Sequence, residues 1–81
     1  MPIVFKRGNL RFFFYSNEGT PREPMHVHVR GPEGEAKVWI EPVISIADSI
    51  GFNSHELAGI IREVTRNRSE IERAWHEHFS N

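Results

Sequence analysis

The sequence predicts an α+β domain: an antiparallel four-stranded β-meander packed against a C-terminal amphipathic helix. Three observations predict it. Residues 1–42 break into short β-branched and aromatic runs separated by Gly, Pro and Asn, the pattern of strands joined by turns. Residues 54–79 place Leu57, Ile60, Ile61, Val64, Ile71, Trp75 and Phe79 on one stripe at helical period. The length, 81 residues, suits a single domain over 1–81 with a modest core.

The elements follow in order. Ile3 to Lys6 forms a first strand, and Arg7-Gly8-Asn9 turns the chain. Leu10 to Tyr15, rich in aromatics, forms the second. Residues 16–24 carry one Gly and two Pro among polar residues and form a loop. His26 to Arg30 is the third strand, and Gly31-Pro32-Glu33-Gly34 is the turn after it. Glu35 to Glu41 is the fourth, stopped by Pro42. Short turns between neighbouring strands favour antiparallel pairing. Residues 43–53 read as a connector. Asn53 or Ser54 caps the helix, and Asn53 with Glu56 has capping-box spacing. The apolar stripe keeps its phase across Asn67, which favours one long helix over 54–79. Arg68 falls on the same stripe, and Ser69 with Glu72 offers a second start, so a break near 67–69 is the alternative.

Side chains alternate along a strand, so each strand presents two faces. Phe12, Phe14, Val27, Val29, Ala36, Val38 and Ile40 share one of them, the natural seat for the helix stripe. The other carries Arg11, Phe13, Tyr15, His26, His28, Arg30, Lys37 and Trp39. Aromatic rings among basic side chains suit the stacking of bases and the pairing of phosphates. They equally suit a protein interface, with a partner or with a second copy in a homodimer. Asn17 and Glu18 open the loop after Tyr15; folded over this face, Glu18 would orient an imidazole.

Bulk properties narrow the classes. The absence of cysteine excludes disulfides, thiolate-held zinc and a thiol nucleophile, and fits a reducing compartment. No cofactor-binding motif stands out. Met1 to Arg7 is too short and too charged for a secretory signal, and no apolar run approaches a membrane span. A cytoplasmic protein that does not enter the membrane is expected. Residues 1–40 carry six Lys or Arg against four Glu, and residues 41–81 four Arg against seven acids. The asymmetry permits an anionic partner for the first half without requiring one.

The tetrad His26-Val27-His28-Val29 concentrates the chemistry. Three readings stand beside one another. The imidazoles are structural, hydrogen-bonding to loop carbonyls or carboxylates. Or they are a general acid and base: beside Arg11, Arg30 and Tyr15 they could cleave RNA without a metal, with the 2′-hydroxyl as nucleophile. Or they ligate a metal, as a strand His-x-His can, with Glu18, His55, His76 or His78 as candidate third ligands by composition. The spacing from His28 to Glu33 is also found in cupins, but this chain is too short for that double-sheet barrel. His55, His76 and His78 read as structural or surface residues, and no metal site is assigned.

Several blocks are familiar together. Arg11-Phe12-Phe13-Phe14-Tyr15-Ser16-Asn17-Glu18, then Pro24 with His26-Val27-His28-Val29, then Ala36-Lys37-Val38-Trp39-Ile40-Glu41-Pro42, then Arg66-Asn67-Arg68 and Ala74-Trp75-His76-Glu77, resemble a family of small bacterial proteins catalogued as a domain of unknown function. Met25 separates Pro24 from His26, a one-residue departure from the usual Pro-His-Val-His. The resemblance implies a small cytoplasmic bacterial protein, often encoded beside another short protein in a toxin–antitoxin-like pair. Its motif positions here are Phe14, Tyr15, Asn17, Glu18, His26, His28, Lys37 and Trp39. The expected role is an interaction domain that contacts the small protein encoded by the neighbouring gene, and RNA as a further partner, through the polar–aromatic sheet face. The ribonuclease and metal-binding readings are the alternatives.

Overall fold

A computed structural model describes residues 3–16 and 23–79. Strands β1 (Ile3–Arg7), β2 (Leu10–Phe13), β3 (His26–Arg30), β4 (Glu35–Trp39) and β5 (Ser45–Ile50) form one sheet. They lie in sequence order with every neighbouring pair antiparallel. Helices α1 (Ser54–Arg66) and α2 (Arg68–Phe79) follow. The meander is as expected, but it has five strands rather than four: the segment 43–53, read as a connector, contains β5.

The reason β5 escapes the sequence pattern is a bulge. Lys37 pairs with Asp48, and the next residue, Val38, pairs with Ile46, so Ala47 is the extra residue. Alternation therefore breaks in mid-strand: Ile46 faces inward, while Ile50 lies opposite Glu35 on the outer face and is 75% exposed. A second bulge interrupts β1 between Ile3 and Phe5.

Two turns depend on glycine. Gly8 has φ +59 in the two-residue loop between Arg7 and Leu10, while Asn9 keeps a negative φ, the arrangement of a type II′ hairpin turn. At the same end of the sheet, between β4 and β5, Gly34 and Gly51 face each other. A Cβ on Gly34 would run into the Ile50 carbonyl and lie 2.8 Å from Gly51 Cα. One on Gly51, where φ is +92, would meet the Glu33 carbonyl.

The α1 cap is a full capping box: Glu56 N–H donates to Asn53 Oδ1 and Asn53 N–H to Glu56 Oε1, both at 2.8 Å. One long helix is not what forms; the break alternative is. Asn67 N–H and Asn67 Nδ2 both donate to the Glu63 carbonyl, at 3.0 and 2.8 Å, and Asn67 takes ψ 21. Its amide side chain competes for a backbone acceptor and tightens the end of α1. The Asn67 carbonyl then accepts from Ile71 N–H at 3.0 Å, starting α2. The stripe survives the break: Ile60, Val64, Ile71, Trp75 and Phe79 are all buried. Arg68 stays exposed and pairs with Glu72 at 2.9 Å.

The helices cover the apolar face as expected, around Phe12, Phe14, Val27, Val29, Val38 and Ile40. Met25 joins this core, and its carbonyl accepts from Ile40 N–H at 2.8 Å. The extra residue before His26 thus adds one apolar position to the inner row of Val27 and Val29. Among the described residues, no helix is long and apolar enough to cross a membrane.

Candidate functional site

Register decides what shares the outer face. Residues directly opposite in an antiparallel pair project to the same side. One row across the sheet is therefore Phe13–His28–Lys37–Asp48, and the next is Lys6–Arg11–Arg30–Glu35–Ile50. A third is His26–Trp39–Ser45. β2 leaves the ladder at Phe13, opposite His28, so the third row has no β2 member.

These side chains are locked together. Arg30 Nη2 donates to Tyr15 Oη at 3.1 Å, and the Arg30 guanidinium lies 5.3 Å from the Phe13 ring centre. Arg30 Nε sits 3.3 Å from Glu35 Oε2, an ion-pair distance without hydrogen-bond alignment. His28 stacks on Phe13 and meets Tyr15 edge-on, with centroids 5.7 and 4.6 Å apart. Lys37 Nζ lies 4.6 Å over the Trp39 ring and donates to Glu23 at 2.7 Å. Beside the cluster a shallow concavity of about 250 Å³ opens between Tyr15, His28, Lys37, Asp48, Ser49 and Ile50.

Of the residues singled out from sequence, Phe13, Tyr15, His26, His28, Arg30, Lys37 and Trp39 come together here. Arg11 stands exposed in the neighbouring row, between Lys6 and Arg30. Asn17 and Glu18 lie outside the described residues.

Two members are not surface groups, contrary to the expected open face. Phe13 is only 2% exposed, roofed by Arg30, His28 and Tyr15. The stacking rings left half-exposed are Tyr15 and Trp39. His26 is fully buried. Its ring is edge-on to His28, Trp39 and Trp75 at 5.1–5.6 Å, and Trp75 reaches it from α2 where the ladder of β2 has ended. His26 Nδ1 is 2.9 Å from the Pro24 carbonyl. A carbonyl can only accept, so Nδ1 carries the proton. Glu23 approaches the same nitrogen at 3.7 Å while holding Lys37.

The two imidazoles therefore have different surroundings. His26 Nδ1 links the sheet to the loop residues Pro24, at 2.9 Å, and Glu23, at 3.7 Å. An acid or base must reach the proton it transfers, and His26 is enclosed; His28, half-buried at the concavity, is the imidazole that a bound group can meet. Among the described residues no three His, Cys, Asp or Glu side chains are grouped to hold a metal ion. His55 and His76 are exposed, and His78 packs on Phe14 and Phe79. Sequence reading missed Glu23, Glu35 and Asp48, the acids of this face. Glu23 sits in a loop with no periodicity to read, and Asp48 follows the bulge.

The molecule is thus a small two-layer α+β domain whose sheet face opposite the helices holds a fixed cation–aromatic cluster. The chain belongs to the family described as a domain of unknown function (DUF4160), whose model matches residues 9–76. The match takes in the described cluster residues and ends one residue after Trp75. Neither a curated protein nor a solved structure matches the chain.

Proposed function

We propose that the chain is the interaction domain of a bacterial two-gene, toxin–antitoxin-like module, and that it binds the small protein encoded beside it through the outer sheet face. One observation carries the reading: Tyr15, Trp39 and Arg30, the residue types that dominate binding hot spots, are half-buried and held by neighbours on the face without helices. Side chains already ordered lose little entropy when a partner arrives. The mixed signs around them, Arg30 with Glu35 and Lys37 with Glu23, suit a protein surface better than a uniformly anionic one. The test is co-expression with the neighbouring gene product and measurement of the affinity. Trp39→Ala should weaken it at least tenfold, about 1.4 kcal/mol or more, measured at a temperature where the variant is folded. Unaltered affinity would remove this face from the interaction.

RNA is the second reading, and one observation favours it. Lys6, Arg11 and Arg30 stand directly opposite one another on three adjacent strands. Like charges so placed repel, and a phosphate backbone would relieve them. Each phosphate contact adds roughly 0.7 to the salt slope for a single strand. The Lys6→Ala/Arg11→Ala double variant should therefore bind a single-stranded RNA more weakly, with a slope smaller by about 1.4. An unchanged slope would dismiss RNA from this row.

A further inference from the structure

A second groove, of about 350 Å³, lies beside α1 and shares no residue with the outer-face concavity. Its apolar lining comes from Leu10, Phe52 and Ile60. Gly59 completes it from the middle of α1. Glycine is the poorest ordinary residue inside a helix, so a packing reason is expected for it. The described residues supply none: among them a Cβ there would touch only the tip of Arg62, at 3.6 Å, an ordinary contact. The missing side chain leaves the apolar lining open.

The groove is flanked by acids from two different elements, Glu33 from the turn before β4 and Glu56 from α1. Among the described residues neither has a salt-bridge partner, and Glu56 is engaged in the helix cap. Glu63 is already held by Arg7 and Arg66. Against the two carboxylates stands Arg62, which has no carboxylate partner among the described residues. The volume sits near the foot of the ligand-pocket range, roughly 300–1,000 Å³, which suits a pair of side chains better than an enclosed small molecule.

We infer that this groove is a docking site for a protein segment carrying bulky apolar side chains flanked by Lys or Arg. The apolar side chains fill the space over Leu10, Phe52 and Gly59, and the cations meet Glu33 and Glu56. The site is independent of the outer face.

The test is an NMR titration of the whole chain with two synthetic peptides, acetyl-Lys-Phe-Leu-Lys-amide and acetyl-Glu-Phe-Leu-Glu-amide. The lysine peptide should shift the amide signals of Leu10, Phe52 and Gly59, and the glutamate peptide should leave them in place. Gly59→Leu should weaken the lysine peptide at least tenfold by filling the groove. Gly59→Ala guards against a folding artefact: it should raise the melting temperature by roughly 4–8 °C while weakening the peptide about threefold. Glu33→Lys, on an exposed turn, should weaken it fivefold or more. Equal shifts with both peptides, no shifts at millimolar concentration, or full affinity in Gly59→Leu would each overturn the inference.

Discussion

Trp75→Ala should bring the chain to the edge of unfolding. Trp75 is buried against Phe14, Phe79 and His26, with ring centroids 5.4, 4.3 and 5.2 Å away. Truncating a buried Trp costs about 3–5 kcal/mol through lost burial and the cavity left behind. At roughly 0.05–0.15 kcal/mol per residue, that is a large share of what a domain of this length has. Urea denaturation measures the loss, and Trp75→Phe should recover much of it. The variant also reports on the site. Trp75 covers His26, and His26 holds Pro24 by a 2.9 Å hydrogen bond, so the His26 ring signals should move toward those of exposed imidazole in whatever fraction stays folded. A loss below 1 kcal/mol would mean that the helix layer is not anchored here.

The second large effect belongs to the paired glycines. In Gly51→Ala the new methyl group points at the Glu33 carbonyl from a backbone with φ +92. Left-handed strain of about 1–3 kcal/mol adds to displacement of packed backbone, typically about 1–3 kcal/mol, for a total of about 2–6 kcal/mol. Gly34→Ala has only the second contribution and should lose less. The damage is directional. Gly51 ends β5 and Gly34 precedes β4, so β5 should loosen first. Hydrogen exchange should quicken at Ser45–Ile50 before it does at β3. Since Asp48, Ser49 and Ile50 form one wall of the outer concavity, binding of the proposed partner should fall with it. Exchange that quickens evenly over the sheet would contradict this order.

Most of the architecture was legible because it is periodic. β3 runs over His26–Arg30, as read, because two valines alternate with polar residues. The α1 capping box and the helix stripe were likewise visible in spacing alone. What escaped is what breaks period. The bulge at Ala47 shifts Ile50 to the outer face and hid a strand. The amide of Asn67 ended a helix whose apolar phase runs straight through it. The site was legible as a list of residues sharing a face, and less so as a surface. Alternation places His26 and Phe13 outside, and packing from neighbouring strands, the loop and α2 then buries both. The acids that partner Arg30 and Lys37 lie on the next strand and in a loop, pairings that no local pattern encodes.

The two bulges have a consequence for the edges of the sheet. An open sheet has two flanks whose unused amides and carbonyls can template further strands. Here both flanks are blunted in the same way. β1 is bulged near its start and carries Lys6 and Arg7 toward its end, and β5 is bulged at Ala47 with Asp48 beside it. An extended strand arriving at either flank meets a broken ladder and a charge. Growth of the sheet from chain to chain, the route to fibrils, is discouraged at both ends. What remains open to contact is the broad surfaces, where side chains rather than backbone amides meet whatever arrives.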